Sequence, residues 1–229
     1  MDGNGRWAQK RLLNRIKGHE QGTEAVRRIV RASRRIGIRY LTLYAFSTEN
    51  WQRPGVEVSA LMELLARFLD AELPEMMAND IRLSTIGQTH RLPHAVRQRL
   101  ERVMDATGNN RSLCLTLALS YGSRSEIVDM VKAIGKKALA GQIDLDRLGE
   151  PEVAAHLCTG GMPDPDLLIR TSGEMRLSNF LLWQIAYAEI FVTDTLWPDF
   201  SEQEFIDILK AFGKRQRRFG RVAGDVSNQ

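Results

Sequence analysis

Tyr40-Leu41-Thr42-Leu43-Tyr44-Ala45-Phe46 runs directly into Ser47-Thr48-Glu49-Asn50-Trp51-Gln52-Arg53-Pro54. The first seven residues are strand formers and read as a buried β-strand. Ahead of them, Val26, Ile29, Val30, Ser33 and Ile36 fall at helical spacing, and Gly37 is placed to stop that helix. Behind them, residues 56–79 carry Val58, Leu61, Met62, Leu65, Phe68 and Leu69 on one stripe, with Pro74 expected to kink or divide the helix. The same alternation continues. A strand is predicted over 81–86, a helix from Pro93 to Gly108, and a strand over 113–119. Ser123-Arg124-Ser125-Glu126 has the form of a capping box before Ile127, Val128, Val131 and Ile134. A short helix follows Pro151, strands are expected over 166–170 and 188–192, and Ser201-Glu202-Gln203-Glu204 opens the last helix. Strands separated by helices pair in parallel. The predicted class is therefore α/β, an open, mainly parallel β-sheet surrounded by helices.

Composition agrees with one folded domain over 1–229. Apolar residues make up 43% and charged residues 26%, ordinary globular values, so whole-chain disorder is excluded. Two cysteines, Cys114 and Cys158, exclude a disulfide framework and favour a reducing, cytoplasmic setting. No run approaches the roughly 20 apolar residues of a membrane helix, and the first residues lack the apolar stretch of a signal peptide. The net charge is only +4, but residues 1–39 hold eleven Arg or Lys against three Asp or Glu. A second basic cluster is Lys214, Arg215, Arg217, Arg218 and Arg221. Such excess calls for an anionic partner: nucleic acid, a lipid surface or a diphosphate.

In open α/β sheets ligands bind beyond the carboxyl ends of the strands. Three segments deserve inspection on that ground. Asp2-Gly3-Asn4-Gly5-Arg6-Trp7 reads either as a plain tight turn or as a backbone cradle for an anion, with Asp2 able to hold a metal and Arg15 and His19 close behind. The Ser47–Arg53 loop gathers hydroxyls, a carboxylate, an amide, an indole and a guanidinium after a strand. Arg170-Thr171-Ser172-Gly173-Glu174-Met175-Arg176-Leu177-Ser178 places two guanidiniums and a hydroxyl where they can wrap phosphate oxygens. Downstream, Glu189 lies inside an apolar segment, where a carboxylate is paired or binds a metal. His90 and His94 lack further ligands for zinc.

Taken together, MDGNGRWA at 1–8, GHEQG at 18–22, LTLYAFSTENWQRP at 41–54, EVSALMELL at 57–65, DLLIRTSGEMRLSNFLLWQIAYAEIF at 166–191, LWPDF at 196–200 and RRFG at 217–220 closely resemble the cis-prenyltransferase family, the undecaprenyl diphosphate synthases in particular. The likeness runs from end to end. It implies a homodimer with an elongated hydrophobic tunnel, and Mg²⁺-dependent condensation of isopentenyl diphosphate onto farnesyl diphosphate with cis geometry. It implies a lipid-carrier product for the cell wall, and peripheral contact with the inner face of the membrane during its release, with no nucleic acid as partner. By resemblance, Asp2 binds the metal, and Gly3, Asn4, Gly5 and Arg6 cradle the allylic diphosphate with Arg15 and His19. Trp7, Ser47, Thr48, Glu49, Trp51 and Arg53 complete the substrate surface. Arg170, Arg176, Leu177 and Ser178 hold isopentenyl diphosphate, and Glu189 is a second metal-side carboxylate near the subunit boundary. Asn50 matches the residue assigned as proton acceptor. A neutral amide is no general base, so Asn50 is expected to orient water or diphosphate while a phosphate oxygen takes the proton. Val56 to Leu73 would extend about 27 Å, enough to wall a growing chain, although ordinary core packing explains the same stripe. The pattern departs from the family in three places: the apolar strand expected ahead of Asp2, Ser120-Tyr121-Gly122-Ser123-Arg124 where Asn-Tyr-Gly-Gly-Arg is commoner, and Met175 where some members have histidine. Aspartate-rich trans-type enzymes are disfavoured because no two aspartates are adjacent. A shorter-chain synthase and a basic nucleic-acid-binding protein are the alternatives.

Overall fold

The computed structural model describes residues 1–215. Arg217, Arg218, Arg221 and the stretch at 217–220 lie outside the described residues. Strands β1 (Tyr40–Ser47), β2 (Ile81–Ile86) and β3 (Leu113–Tyr121) form one parallel ladder in the order β1-β3-β2. Strands β4 (Leu167–Arg170) and β5 (Glu189–Val192) form a second parallel ladder. All pairing is parallel, as the alternation predicts, with the strands in two sheets, β1-β3-β2 and β4-β5, rather than one. Every residue of β3 is buried, as a central strand covered on both faces requires.

Helices α2 (Arg15–Arg35), α3 (Gly55–Ala78), α4 (His94–Thr107) and α7 (Glu202–Gly213) supply Ile29, Leu69, Val103 and Phe205 to the principal core over Leu43, Leu115 and Leu117. Helix α5 (Ser123–Leu139) and the short α6 (Glu150–Ala155) pack around Met130, Ile134 and Leu157. Helix α2 starts well ahead of the predicted apolar stripe, where the Asn14 side chain accepts from the Lys17 N–H. Pro74 neither divides nor ends α3. Core packing of Leu69 and Met76 on either side of it offsets the roughly 3 kcal/mol that an interior proline costs.

The predicted capping box at Ser123–Glu126 is not formed. The N-cap of α5 is Gly122, Ser123 Oγ accepts from the Leu182 N–H, and Glu126 is buried against the Tyr121 hydroxyl at 2.5 Å. The box at the last helix is half borne out, since Ser201 Oγ accepts from the Glu204 N–H.

The basic face of α2 is largely engaged within the chain. Arg27 pairs with Glu72, Arg31 with Glu75 and Arg35 with Glu202, while Arg28 and Arg34 donate to backbone carbonyls. The charge that invited a nucleic-acid reading is thus spent on holding α2 against α3 and α7.

Candidate active site

Ser47 ends β1 and Arg170 ends β4, so both lie at carboxyl strand ends. The β1 register against β3 slips at Ala45 and is restored at Ser47, opposite Tyr121, an irregularity placed next to the Ser47 loop. Asp2 is tied to the end of β4 through Thr171, whose hydroxyl accepts from the Asp2 N–H at 3.0 Å and donates to its carbonyl at 2.9 Å. The Trp197 N–H donates to the same carbonyl. Gly3 has φ +104°, and a Cβ there would stand 2.3 Å from Ser172 Oγ, so glycine is required on both counts. Helix α1 (Asn4–Lys10) follows. It rests on α2 through Gly18 and Gly22, where added Cβ atoms would meet Asn4 O at 2.0 Å and Asn4 Oδ1 at 2.5 Å.

These contacts frame a cleft of about 130 Å³ lined by Met1 to Arg6, Arg15, His19, Arg53 and Glu57. Three guanidiniums face two carboxylates there. The sequence reading missed Glu57. It is 8% exposed and accepts from Arg53 at 2.9 Å, stands 3.3 Å from His19 Nε2 and lies 3.5 Å from Arg15. One buried carboxylate therefore orients three of the predicted phosphate-binding groups. Its signal was present: Arg53 and Glu57 are four residues apart at a helix start.

Asp2 is half-exposed, with Oδ1 accepting from the Gly3 N–H at 2.8 Å and Oδ2 from Arg170 at 3.1 Å. Burial alone would raise its pKa, but the Arg170 hydrogen bond, the Arg6 charge and the Gly3 N–H outweigh it and hold the carboxyl below its ordinary value. Arg170 also donates to Ser178 Oγ at 2.9 Å and to the Arg176 carbonyl. A single guanidinium thus joins Asp2 to the Arg176–Ser178 segment. Glu174, another residue missed from sequence, pairs with both Arg6 and Arg176.

Other predicted residues sit differently. Trp7 turns away from the cleft, its indole N–H donating to Asp199 at 2.6 Å beneath the Arg11 guanidinium. Trp51 donates to Ser120 Oγ and packs edge-on against Phe46. Leu177 packs with the Tyr44–Tyr121–Phe180 cluster. Thr48 and Glu49 share a hydrogen bond, and Glu49 also accepts from Asn179. Asn50 Oδ1 accepts from the Ser47 N–H at 3.1 Å, which commits the carbonyl oxygen and leaves the amide nitrogen as donor. Glu189 opens β5 in register with Leu167, three residues before Arg170, and pairs with Arg215. It is therefore at the far end of the ladder from Asp2 and is not brought beside it within the chain. Among the described residues no three His, Cys, Asp or Glu gather to hold a metal. Asp2 nevertheless fits Mg²⁺ in its usual mode, with one or two carboxylates completed by substrate phosphate oxygens.

Two predictions arise from this geometry. Ser172 has φ +78°, and its hydroxyl is buried without a partner among the described residues. Ser172→Gly should stabilise by about 1 kcal/mol, the relieved strain and orphan hydroxyl exceeding the entropy that glycine costs. A thermal midpoint raised by about 2–4 °C is the expected readout. The second concerns pH. Burial lowers the pKa of His19, outweighing the Glu57 hydrogen bond. The folded state then resists the proton that the unfolded state accepts, so stability falls as pH drops from about 6.5 toward the lower folded value. His19→Gln should flatten that part of a midpoint-versus-pH curve.

A family model described as "Putative undecaprenyl diphosphate synthase" matches residues 1–220. The chain is 50% identical over 223 residues to an isoprenyl transferase of Geobacillus kaustophilus, covering 97% of this chain and 87% of that one. It is 48% identical over 229 residues to an isoprenyl transferase of Geobacter sulfurreducens, covering 100% and 93%. The fold is similar to lavandulyl diphosphate synthase from Lavandula x intermedia in complex with dimethylallyl diphosphate, with TM-score 0.93, 34% identity and coverage of 96% and 95%. It is also similar to a probable undecaprenyl diphosphate synthase from Campylobacter jejuni, with TM-score 0.77, 39% identity and coverage of 88% and 92%.

Proposed function

The chain belongs to the undecaprenyl diphosphate synthase family of prenyltransferases, and from that premise we propose that it adds isopentenyl diphosphate repeatedly, with cis geometry, to an allylic diphosphate. Farnesyl diphosphate is the expected primer and a long-chain polyprenyl diphosphate such as undecaprenyl diphosphate the product, used as a lipid-carrier precursor in cell-wall synthesis. The observation that carries this reading is the Arg170 guanidinium shared between Asp2 and Ser178. It joins the two segments read here as phosphate-binding through one side chain, which supports a reaction between two diphosphates.

In this reading Arg6, Arg15 and Arg53 hold the allylic diphosphate, while Arg170, Arg176 and Ser178 hold isopentenyl diphosphate. The allylic C1–O bond breaks and pyrophosphate leaves with the electron pair. The terminal alkene carbon of isopentenyl diphosphate bonds to C1, and one proton is lost from the neighbouring methylene. The fixed cations stabilise the charge that develops on pyrophosphate. Asp2 would hold Mg²⁺, which when bound supplies Lewis-acid neutralisation of the diphosphate. Asn50, with its oxygen committed to Ser47, offers only N–H donors and orients a phosphate oxygen, which accepts the proton. Asn50→Asp, which turns those donors into a charge, should lower kcat about 100-fold or more in steady-state assays.

The metal role of Glu189 rests on a homodimer. Ile190 and Val192 present an exposed apolar face of β5, which supports pairing of two copies. Among the described residues no helix is long and apolar enough to cross a membrane; the same reading adds peripheral contact with the inner leaflet, from the cytoplasm, as the apolar product is released.

A shorter-chain synthase is the second reading. The apolar residues of α3, including Val58, Leu61 and Leu65, are packed against the core. Beside it, the cavity that Val30, Phe68, Met76 and Ile81 share with Arg27, Glu72 and Glu75 is only about 10 Å³, room for roughly one water. A long product needs those side chains to part. Incubation with farnesyl diphosphate, labelled isopentenyl diphosphate and Mg²⁺, followed by product sizing, decides between them. Products of many added units support the long-chain reading, and termination after one or two supports the shorter.

A further inference from the structure

Helix α5 is capped from a distant part of the chain. Gly122 has no side chain to offer its first N–H groups, yet two of them are satisfied by Asn179. The Asn179 carbonyl accepts from the Ser123 N–H at 2.8 Å, and its Oδ1 accepts from the Arg124 N–H at 2.8 Å. Its Nδ2 donates to Glu49 Oε1 at 3.0 Å. Asn179 has φ +62° and Ser178, its neighbour, φ +52°, backbone cost that packing must offset. A Cβ on Gly122 would stand 2.7 Å from Asn179 Nδ2 and 2.6 Å from Thr48 Oγ1. Glycine therefore lets the three segments meet. The amide uses both its ends, one as acceptor for a helix N-terminus and one as donor to a carboxylate held below its ordinary pKa. No other side chain of that length can do both.

We propose that Asn179 is a positioning residue that fixes the Arg176–Ser178 segment against the Ser47–Asn50 loop, setting the spacing between the two halves of the site. The proposal rests on the reading above, in which Ser178 and Arg176 hold isopentenyl diphosphate. The Asn179 side-chain amide is engaged by Arg124 and Glu49, not by the groups assigned to either diphosphate. It acts through Ser178, which accepts from Arg170.

The test uses Asn179→Asp. Aspartate still caps α5 but faces Glu49 with a like charge in place of a donor. The KM for isopentenyl diphosphate should rise about 10- to 100-fold. The allylic KM should stay within about 3-fold, and the thermal midpoint should be nearly kept because the cap survives. In Asn179→Asp/Glu49→Gln the new amide donates to the new carboxylate, and the isopentenyl KM should fall well below that of Asn179→Asp, to within about 3-fold of Glu49→Gln alone. An unchanged isopentenyl KM in the single variant overturns the proposal, as does a double variant no better than the single. A lowered midpoint with both substrates weakened equally makes Asn179 only a structural cap and also overturns it. Wild-type protein with no isopentenyl-dependent turnover is a different failure, removing the reading on which the proposal stands.

Discussion

Asp2→Ala is expected to lose at least about a thousandfold in kcat with isopentenyl and allylic diphosphates, while keeping its fold. Asp2 is the carboxylate that lines the cleft within reach of both Arg6 and Arg170. Its ionised form is favoured by those partners, so the charge is in place throughout the neutral range. Removing it leaves Arg170 with its bonds to Ser178 and Arg176, and costs only about 1 kcal/mol of stability because the pair is partly solvated. Asp2→Asn sharpens the result. The amide keeps the shape and can still accept from Arg170, but it cannot ligate a hard cation as a carboxylate does. If the role is electrostatic, Asn fails nearly as badly as Ala in steady-state and single-turnover assays. If Asp2 only shapes the loop, Asn restores activity.

Gly18→Ala is the second large effect, and its sign is unusual. On an isolated helix the change gains about 1 kcal/mol. Here the new Cβ would stand 2.0 Å from the Asn4 carbonyl oxygen, a backbone atom that cannot rotate away. Helix α1 must move by about 1 Å or more to restore ordinary contact. A displacement of that size at a reacting site costs about 100-fold. The expected outcome is kcat/KM for the allylic diphosphate down about 100-fold, with a thermal midpoint lowered by overpacking of about 1–3 kcal/mol. Gly22→Ala serves as comparison, since its clash is with the Asn4 side chain, which can swing. A Gly18→Ala protein that is both more stable and fully active would show that α1 does not carry the cradle.

Local signals carried much of this. The strand at Tyr40 and its polar loop are legible because the stretch is nearly all strand formers and ligands gather at a carboxyl strand end. The strand expected to be buried is nevertheless an edge strand in which only Leu43 and Phe46 are buried, since β3 takes the centre. Arg170, Arg176 and Ser178 follow from the same rule. What was lost is what distance decides. Asn179 supplies the cap that Ser123 and Glu126 were expected to make, because contacts with Leu182 and Tyr121 outcompete the local box. Pro74 passes through α3 because the core on both sides holds it. Trp7 looked like part of the substrate surface, but Asp199, nearly the whole chain away, draws its indole aside. Glu189 shares the motif stretch of Arg170 yet stands at the opposite end of the ladder, since parallel register is not written in either strand alone. Glu57, a carboxylate one helical turn beyond Arg53, was an avoidable omission, as was Glu174, two residues before Arg176.

The most direct test counts two products at once. Purified protein is mixed with farnesyl diphosphate, labelled isopentenyl diphosphate and Mg²⁺, and solvent-extractable label is measured beside pyrophosphate. The expected result is one pyrophosphate for every labelled five-carbon unit incorporated, with both lost on chelation. Pyrophosphate released without label in the extract, or no turnover with any allylic primer, would contradict condensation in this cleft.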